Sequence, residues 1–457
     1  MDKHTHASIR PAKERIEDEL LRRPGVTGVD ISTKKKDGAD TGELAIVVYV
    51  KKKKPASALK ANELVPPQVE GVPTDVVEEE IVPHRGAASP VLTPMVDASA
   101  YPTLQGGISI GPCRSVHMDP PDVPTSGNYV FVGTLGVMVR DRATGAAMAL
   151  TNFHVACVDS GWSVGDTMAQ PSRVDGGSCP SARFGTLTRA ALSNHVDGAV
   201  ITIDAGRASS CSITGIGSVR GTAAASFGLA VRKRGRTTEL THGTVTSVDY
   251  TTSIDYGDGL GVRTLRNQIR IAVDTAHSTQ FGDHGDSGSV VVNADRRVVG
   301  LYFGGNAAGT VGVANPIGFV LDELGVDLCT SAPLITSPIP CGPIVTRPVL
   351  CQVVTRPVIC SVVTRPIICE IVAQPPVITQ ACPPVSLACG PQFPGNPVFP
   401  GNPGNPGLPG ISGPSNGPAA DPTAAYGAVS VEDSYWLGYY SALEATAQAQ
   451  AQADSGD

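Results

Sequence analysis

From Gly106 to about Leu328 the sequence is a succession of short β-prone runs punctuated by glycine. Tyr129–Val139, Met148–Asn152, Gly198–Ile203, Gly243–Tyr250, Ser289–Val292 and Val298–Phe303 are examples. Runs this short cannot each bury a face alone. Many of them in series restrict the chain to a mainly β fold, a sandwich or a barrel. Aromatics are 5% of the residues and glycines number 51, which suits turns between strands better than long helices.

The flanks differ in character. Residues 1–95 read as a small α+β domain. Ile9, Ile16 and Leu20 recur at helical spacing, and Pro24-Gly25 ends the helix. Val26–Ser32 and Leu44–Val50 read as strands joined by a polar turn, Ala58–Leu64 as a second helix or loop, and Val72–Val77 as a third strand. Residues 91–104 read as a linker, and 104–330 as the β domain. In 331–425 a nine-residue unit recurs, Cys351-Gln-Val-Val-Thr-Arg-Pro-Val-Ile and then Cys360-Ser-Val-Val-Thr-Arg-Pro-Ile-Ile. A proline in every unit excludes a helix interior or a central strand, so an extended chain is expected. Glycine at 401, 404, 407, 410 and 413 is collagen-like, but a flexible Pro/Gly linker is the expected form. Residues 426–457 read as a short helix with an apolar patch at Tyr435, Trp436, Tyr439, Tyr440 and Leu443.

The net charge of −7 is mild for 457 residues and offers no nucleic-acid footprint. Lys34–Lys36 and Lys51–Lys54 read as a solvated strand edge. Met1–Arg23 has no apolar core of a signal peptide, and no run reaches about 18 apolar residues. A cytoplasmic location is therefore expected, with secretion by a non-classical route as the alternative. Eleven cysteines, an odd number without a secretory signal, argue against a complete disulfide framework. No His/Cys spacing makes a zinc site, and no membrane contact is expected.

Three motifs occur in order: Leu150-Thr-Asn-Phe-His-Val-Ala156, Asn194-His-Val-Asp-Gly-Ala-Val200 and Gly282-Asp-His-Gly-Asp-Ser-Gly-Ser289. Together they hold the parts of nucleophilic acyl transfer. A serine hydroxyl needs a base to take its proton, and a buried carboxylate holds that base in the useful tautomer. His154, Asp197 and Ser287 are the expected base, orienting acid and nucleophile. Their order is that of the two-barrel enzymes and not of the α/β-hydrolases. Asp204 is the weaker alternative to Asp197. The glycines of Gly285-Asp286-Ser287-Gly288 let the N–H groups of Gly285 and Ser287 converge as an oxyanion hole. His195 and His284 read as surface neighbours, with His284 beside the cleft.

On these motifs residues 104–328 resemble the trypsin-like, chymotrypsin-fold serine peptidases, in the style of bacterial intracellular members and of the plant narrow-leaf type. Val231-Arg-Lys-Arg-Gly-Arg-Thr-Thr-Glu-Leu-Thr-His-Gly-Thr-Val245 resembles a stretch of α-lytic protease and the streptogrisins. Gly304-Gly305 and Ala314-Asn-Pro-Ile317 also fit bacterial and plant relatives, and the first 90 residues resemble the N-terminal region of intracellular ones. The resemblance implies that Lys233 pairs with Asp286 and keeps the oxyanion hole formed without zymogen cleavage, with Arg236 as a substitute. It also places Phe281, Tyr302, Phe303, Gly304 and Asn315 at the substrate pocket. No acidic residue is evident at the pocket base, so a small or medium apolar side chain is the expected preference.

The expected function is a serine endopeptidase that hydrolyses a protein or peptide through an acyl-enzyme and needs no cofactor. The rival is a catalytically inactive protease-like binding or scaffold module on an extended tail. The N-terminal domain is expected to shield the cleft until it is processed or displaced. Oligomeric state and cleavage specificity stay open.

Overall fold

The computed structural model describes residues 5–36, 39–84, 86–88, 97–119, 126–257 and 259–330. The Cys/Pro repeat, the collagen-like glycines and the C-terminal helix lie outside them. The described part is mainly β, as the sequence implied, and its strands form two barrels and an N-terminal extension.

In the first barrel Ala147–Thr151 pairs with Val137–Asp141 on one side and Asp197–Ile203 on the other. The sheet then continues through Arg183–Leu192, Thr167–Ala169, Ile108–Pro112 and Gly127–Leu135. Period-two alternation sorts the side chains of these strands. Met138, Ala149, Ala199 and Ile201 point to the barrel interior with Leu104, Ile108, Ile110 and Phe184. Val137, Val139, Met148, Leu150 and Val200 point the other way, onto Val290, Val292, Leu301, Ile317 and Val320 of the second half. One strand therefore serves two cores. The expected single run Tyr129–Val139 is two strands, Gly127–Leu135 and Val137–Asp141, parted at Gly136. A Cβ at Gly136 would strike the carbonyl oxygen of Gly288, which is how closely the two halves approach.

The second barrel closes fully. Ala230–Gly235 pairs with both Glu239–Asp255 and Val290–Asn293, and the ring is completed by Val298–Asn306, Val311–Pro316 and Val262–Val273. Val231, Val245, Ile269, Ile271, Phe281, Val299 and Tyr302 fill it.

The N-terminal helix is His6–Leu21, started by a reciprocal capping box between Thr5 and Ser8. Its Ile9 and Leu20 pack on Val29, Ile31, Ile46 and Val48 of the strands Val26–Lys36 and Ala39–Val50. Val72–Glu78 lies parallel to Ala39–Val50. This α+β segment is not a separate body. Gly28 and Val29 pair with Thr252 and Thr251, so its sheet continues that of the second barrel. Ion pairs cross the same junction: Arg10 to Asp249 at 2.6 Å and Arg270 to Glu79 at 2.8 Å. Only a three-residue 3₁₀ turn, Ala56–Ala58, forms near the expected second helix.

One further expectation is corrected. Residues 97–104 do not hang free as a linker. Arg207 donates to the Tyr101 carbonyl at 2.6 Å, and Thr103–Gly106 is a strand parallel to Ala208–Ile213. Among the described residues four cysteines are paired, Cys113 with Cys179 and Cys211 with Cys329, and Cys157 is free and buried. The partners lie 66 and 118 residues apart in sequence, so only the fold brings them together. No helix among the described residues is long and apolar enough to cross a membrane.

Candidate active site

The strand Ala147–Thr151 runs straight into the four-residue helix Phe153–Ala156, and this sharp change of direction turns His154 inward. Asn152, at the junction, donates its side-chain N–H to the Asp197 carbonyl at 2.6 Å. Asp197 opens the neighbouring strand and points its carboxylate at the histidine. His154 Nδ1 lies 2.5 Å from Asp197 Oδ2, and the His154 backbone N–H donates to Oδ1 at 3.2 Å. The Tyr256 hydroxyl donates to Oδ2 at 2.8 Å. All three groups are buried. A carboxylate can only accept, so Nδ1 carries the hydrogen and Nε2 keeps a free lone pair. Nε2 is buried and has no hydrogen-bond partner among the described residues.

Ser287 sits in the tight turn before Val290–Asn293. Gly285 has φ +97° and Gly288 has φ +94°, a left-handed backbone that favours glycine. Behind the turn, Asp286 Oδ2 meets Lys233 Nζ at 2.9 Å, both buried, and Asp286 Oδ1 accepts from the Thr237 N–H at 2.8 Å. Burial alone would raise this carboxyl. The Lys233 charge and the Thr238 hydroxyl more than offset it and hold Asp286 below the usual carboxylate range. Arg236 does not substitute for Lys233; it donates to Asp175 at 2.8 Å. Asp204 is occupied by Arg183 at 2.9 Å, away from His154.

The site is occupied by the chain itself. Ile81–Pro83 adds as an antiparallel strand to Val298–Asn306, with Pro83 opposite Gly304 and Val82 opposite Gly305. The next residue, His84, donates its N–H to the Phe303 carbonyl at 3.1 Å, and its own carbonyl accepts from the Gly285 N–H at 2.6 Å. The Ser287 hydroxyl donates to the same Phe303 carbonyl at 2.8 Å.

The five expected pocket residues divide. Tyr302 faces the cleft, its hydroxyl 2.7 Å from His84 Nδ1. Phe281 is buried with its ring edge-on to Tyr302, supporting it from behind. Gly304 leaves the space the segment uses, since a Cβ there would strike the Val82 carbonyl oxygen. Phe303 contributes its carbonyl, while its ring packs away with Tyr49, Ile81 and Tyr250. Asn315 is not in the pocket: its Oδ1 accepts from the Asp197 N–H at 3.2 Å and its amide donates to Gln268 at 2.7 Å. The alternation of its strand turns it toward the carboxylate. His284 lies beside the cleft, its ring 5.1 Å from that of His84, whereas His195 stacks on Phe319 outside it. Sequence reasoning missed Tyr256 and His84. Neither stands in a motif.

Residues 277–320, which hold the nucleophile turn and the strands behind it, match the family model of peptidase S7, the flavivirus NS3 serine protease. Among solved structures this chain is similar to Thermobifida fusca protease A, at 19% identity and TM-score 0.35 over 50% of this chain and 100% of that one. It is also similar to a Cellulomonas bogoriensis chymotrypsin, at 22% identity and TM-score 0.34 over 50% and 98%. Nocardiopsis protease matches at 18% identity and TM-score 0.35 over 50% and 98%. No curated protein matches the chain.

Proposed function

We propose that the protein is a serine endopeptidase held in an autoinhibited form by its own N-terminal region. The observations that carry this reading are the buried His154–Asp197 pair, whose Nε2 has no hydrogen-bond partner among the described residues, and the Ser287 turn with its Gly285 N–H donor. Ser287 attacks the substrate carbonyl, and His154 Nε2 takes its proton. Asp197, fixed by Tyr256 and Asn315, holds the imidazole and favours its charged form. The Gly285 N–H, and that of Ser287 beside it, stabilise the oxyanion, each donor being worth about 3 kcal/mol in such sites. His154 then protonates the leaving amine, and water releases the acyl group. The Lys233–Asp286 pair keeps the turn in this shape. The chemistry calls for no cofactor, and the substrate is a protein or peptide.

Inhibition follows from occupancy, because the backbone of 81–84 already uses the strand edge and the Gly285 donor that a substrate would need. The paired cysteines support export to an oxidising compartment over the cytoplasm.

The test is labelling by a fluorophosphonate. The full chain is compared with Val82→Pro, which removes a ladder N–H and loosens the segment. Faster labelling of Val82→Pro, abolished by adding Ser287→Ala, is the expected result. No labelling of either folded protein would return the reading to a non-catalytic binding module.

A further inference from the structure

We infer that the protein cleaves itself, and that the bond it cuts is the one on the carboxyl side of His84. The inference rests on the endopeptidase reading and adds a site, a mode and a side-chain preference to it.

A segment that merely blocks a cleft can cross it in any direction and register. Residues 81–84 lie in the direction and register of an acyl donor. The strand is antiparallel to Val298–Asn306 and hydrogen-bonded to it, so it is held extended. Pro83, which has no N–H to offer, occupies the one position between Val82 and His84 where none is required. His84 then donates to Phe303 and accepts from Gly285. Among the described residues its carbonyl is therefore the one aimed at the oxyanion donor. Beyond it the chain forms a second ladder, on the other barrel: Gly86, Ala87 and Ala88 pair antiparallel with Val132, Phe131 and Val130. The residues before and after His84 are thus anchored on opposite sides of Ser287. A bond spanned in this way is under the control of both barrels, as a bound substrate is and a product is not.

The side chain fits as well as the backbone. The His84 imidazole is buried with Nδ1 on the Tyr302 hydroxyl. Its Cε1 would lie 3.0 Å from a Cβ at Gly305, so any side chain there would crowd the ring. Tyr302 and the adjacent His284 ring make this a polar aromatic slot, suited to a planar side chain with a ring nitrogen. The apolar preference expected from the sequence does not describe it.

The step balances within the chain and one water. Ser287 Oγ leaves the Phe303 carbonyl, passes its proton to the vacant His154 Nε2 and bonds to the His84 carbonyl carbon. The oxygen takes the electron pair and is held by the Gly285 N–H. The C–N bond breaks, and His154 gives the proton to the departing amine of Arg85. Water attacks the His84 ester, His154 takes its proton, and Oγ is restored. The products are a carboxylate at His84 and an amine at Arg85. The N-terminal fragment stays attached through the shared sheet and the Arg10–Asp249 and Arg270–Glu79 pairs until it is displaced.

The test is intact-mass and N-terminal analysis of the purified full chain over time, beside Ser287→Ala and Val82→Pro. Fragments ending at His84 and beginning at Arg85 are expected. Their rate should be independent of protein concentration, zero in Ser287→Ala and slowed about tenfold or more in Val82→Pro, the loss of one ladder bond. An intact chain whose Val82→Pro form is labelled by fluorophosphonate would overturn self-cleavage and leave the enzyme standing. Cutting at another bond, or a rate rising with concentration, would also overturn it. Neither cutting nor labelling in folded protein would remove the endopeptidase reading itself.

Discussion

Tyr256 and His154 share one oxygen: the tyrosine hydroxyl and the imidazole Nδ1 both lie on Asp197 Oδ2, at 2.8 and 2.5 Å. Tyr256 follows the long strand Glu239–Asp255, whose outer part pairs with the N-terminal strand Val26–Lys36. The Asp197 carboxylate is therefore held by an element that the N-terminal region braces.

Tyr256→Phe should lower kcat toward a peptide substrate by about tenfold to a hundredfold, the worth of one hydrogen bond to a charged group. An unchanged kcat in folded Tyr256→Phe would show that this hydrogen bond does not support Asp197.

Removing Lys233 leaves a buried carboxylate without its partner. Lys233→Ala should cost about 3–5 kcal/mol of stability and abolish labelling of Ser287. Thermal unfolding and fluorophosphonate labelling check this together, and a variant that keeps both sinks the supporting role of Lys233.

His84 makes occupation of the cleft pH-dependent. Burial pushes its pKa from 6.5 down to about 4; the neighbouring His284 and, more weakly, Lys233 add to this, while Asp286 and Asp283 oppose it. The docked ring stays neutral while a displaced one charges, so docking is fully favourable above pH 6.5 and weakens as pH falls toward about 4. Imidazole NMR of the Ser287→Ala protein, with His84 assigned by His84→Gln, should show a midpoint near 4. A midpoint at the ordinary value would contradict the docked geometry.

Gly28 sits where a side chain cannot. A Cβ would lie 2.9 Å from both the Thr251 carbonyl and the Tyr250 hydroxyl. Gly28→Val should part the N-terminal sheet from the second barrel, destabilise the chain by about 1–3 kcal/mol and speed Ser287 labelling. Unchanged labelling with the expected loss of stability would show that the junction does not control the cleft.

Much of the fold was legible because its causes are local. The helix His6–Leu21 follows from its apolar spacing and the Pro24-Gly25 stop. The strands follow from alternation, and Gly285 and Gly288 mark a turn that needs positive φ. The pairing His154–Asp197 was expected because the motifs carry residue types whose chemistry demands a partner, and Lys233–Asp286 because the family resemblance of residues 231–245 implied it. What stayed hidden is long-range. Asn315 stands in a recognisable motif yet faces Asp197, because strand register and not residue type selects the face. The cysteine pairs and Tyr256 likewise depend on which strands come to lie side by side. The sequence by itself determined the β-rich architecture, the order of the three motifs and the chemical kinds present. Only the tertiary structure decided that Ile-Val-Pro-His, an unremarkable stretch near the end of the first domain, lies along the open strand edge beside Ser287. That edge is completed by pairing between residues more than two hundred positions apart, and no local pattern records it.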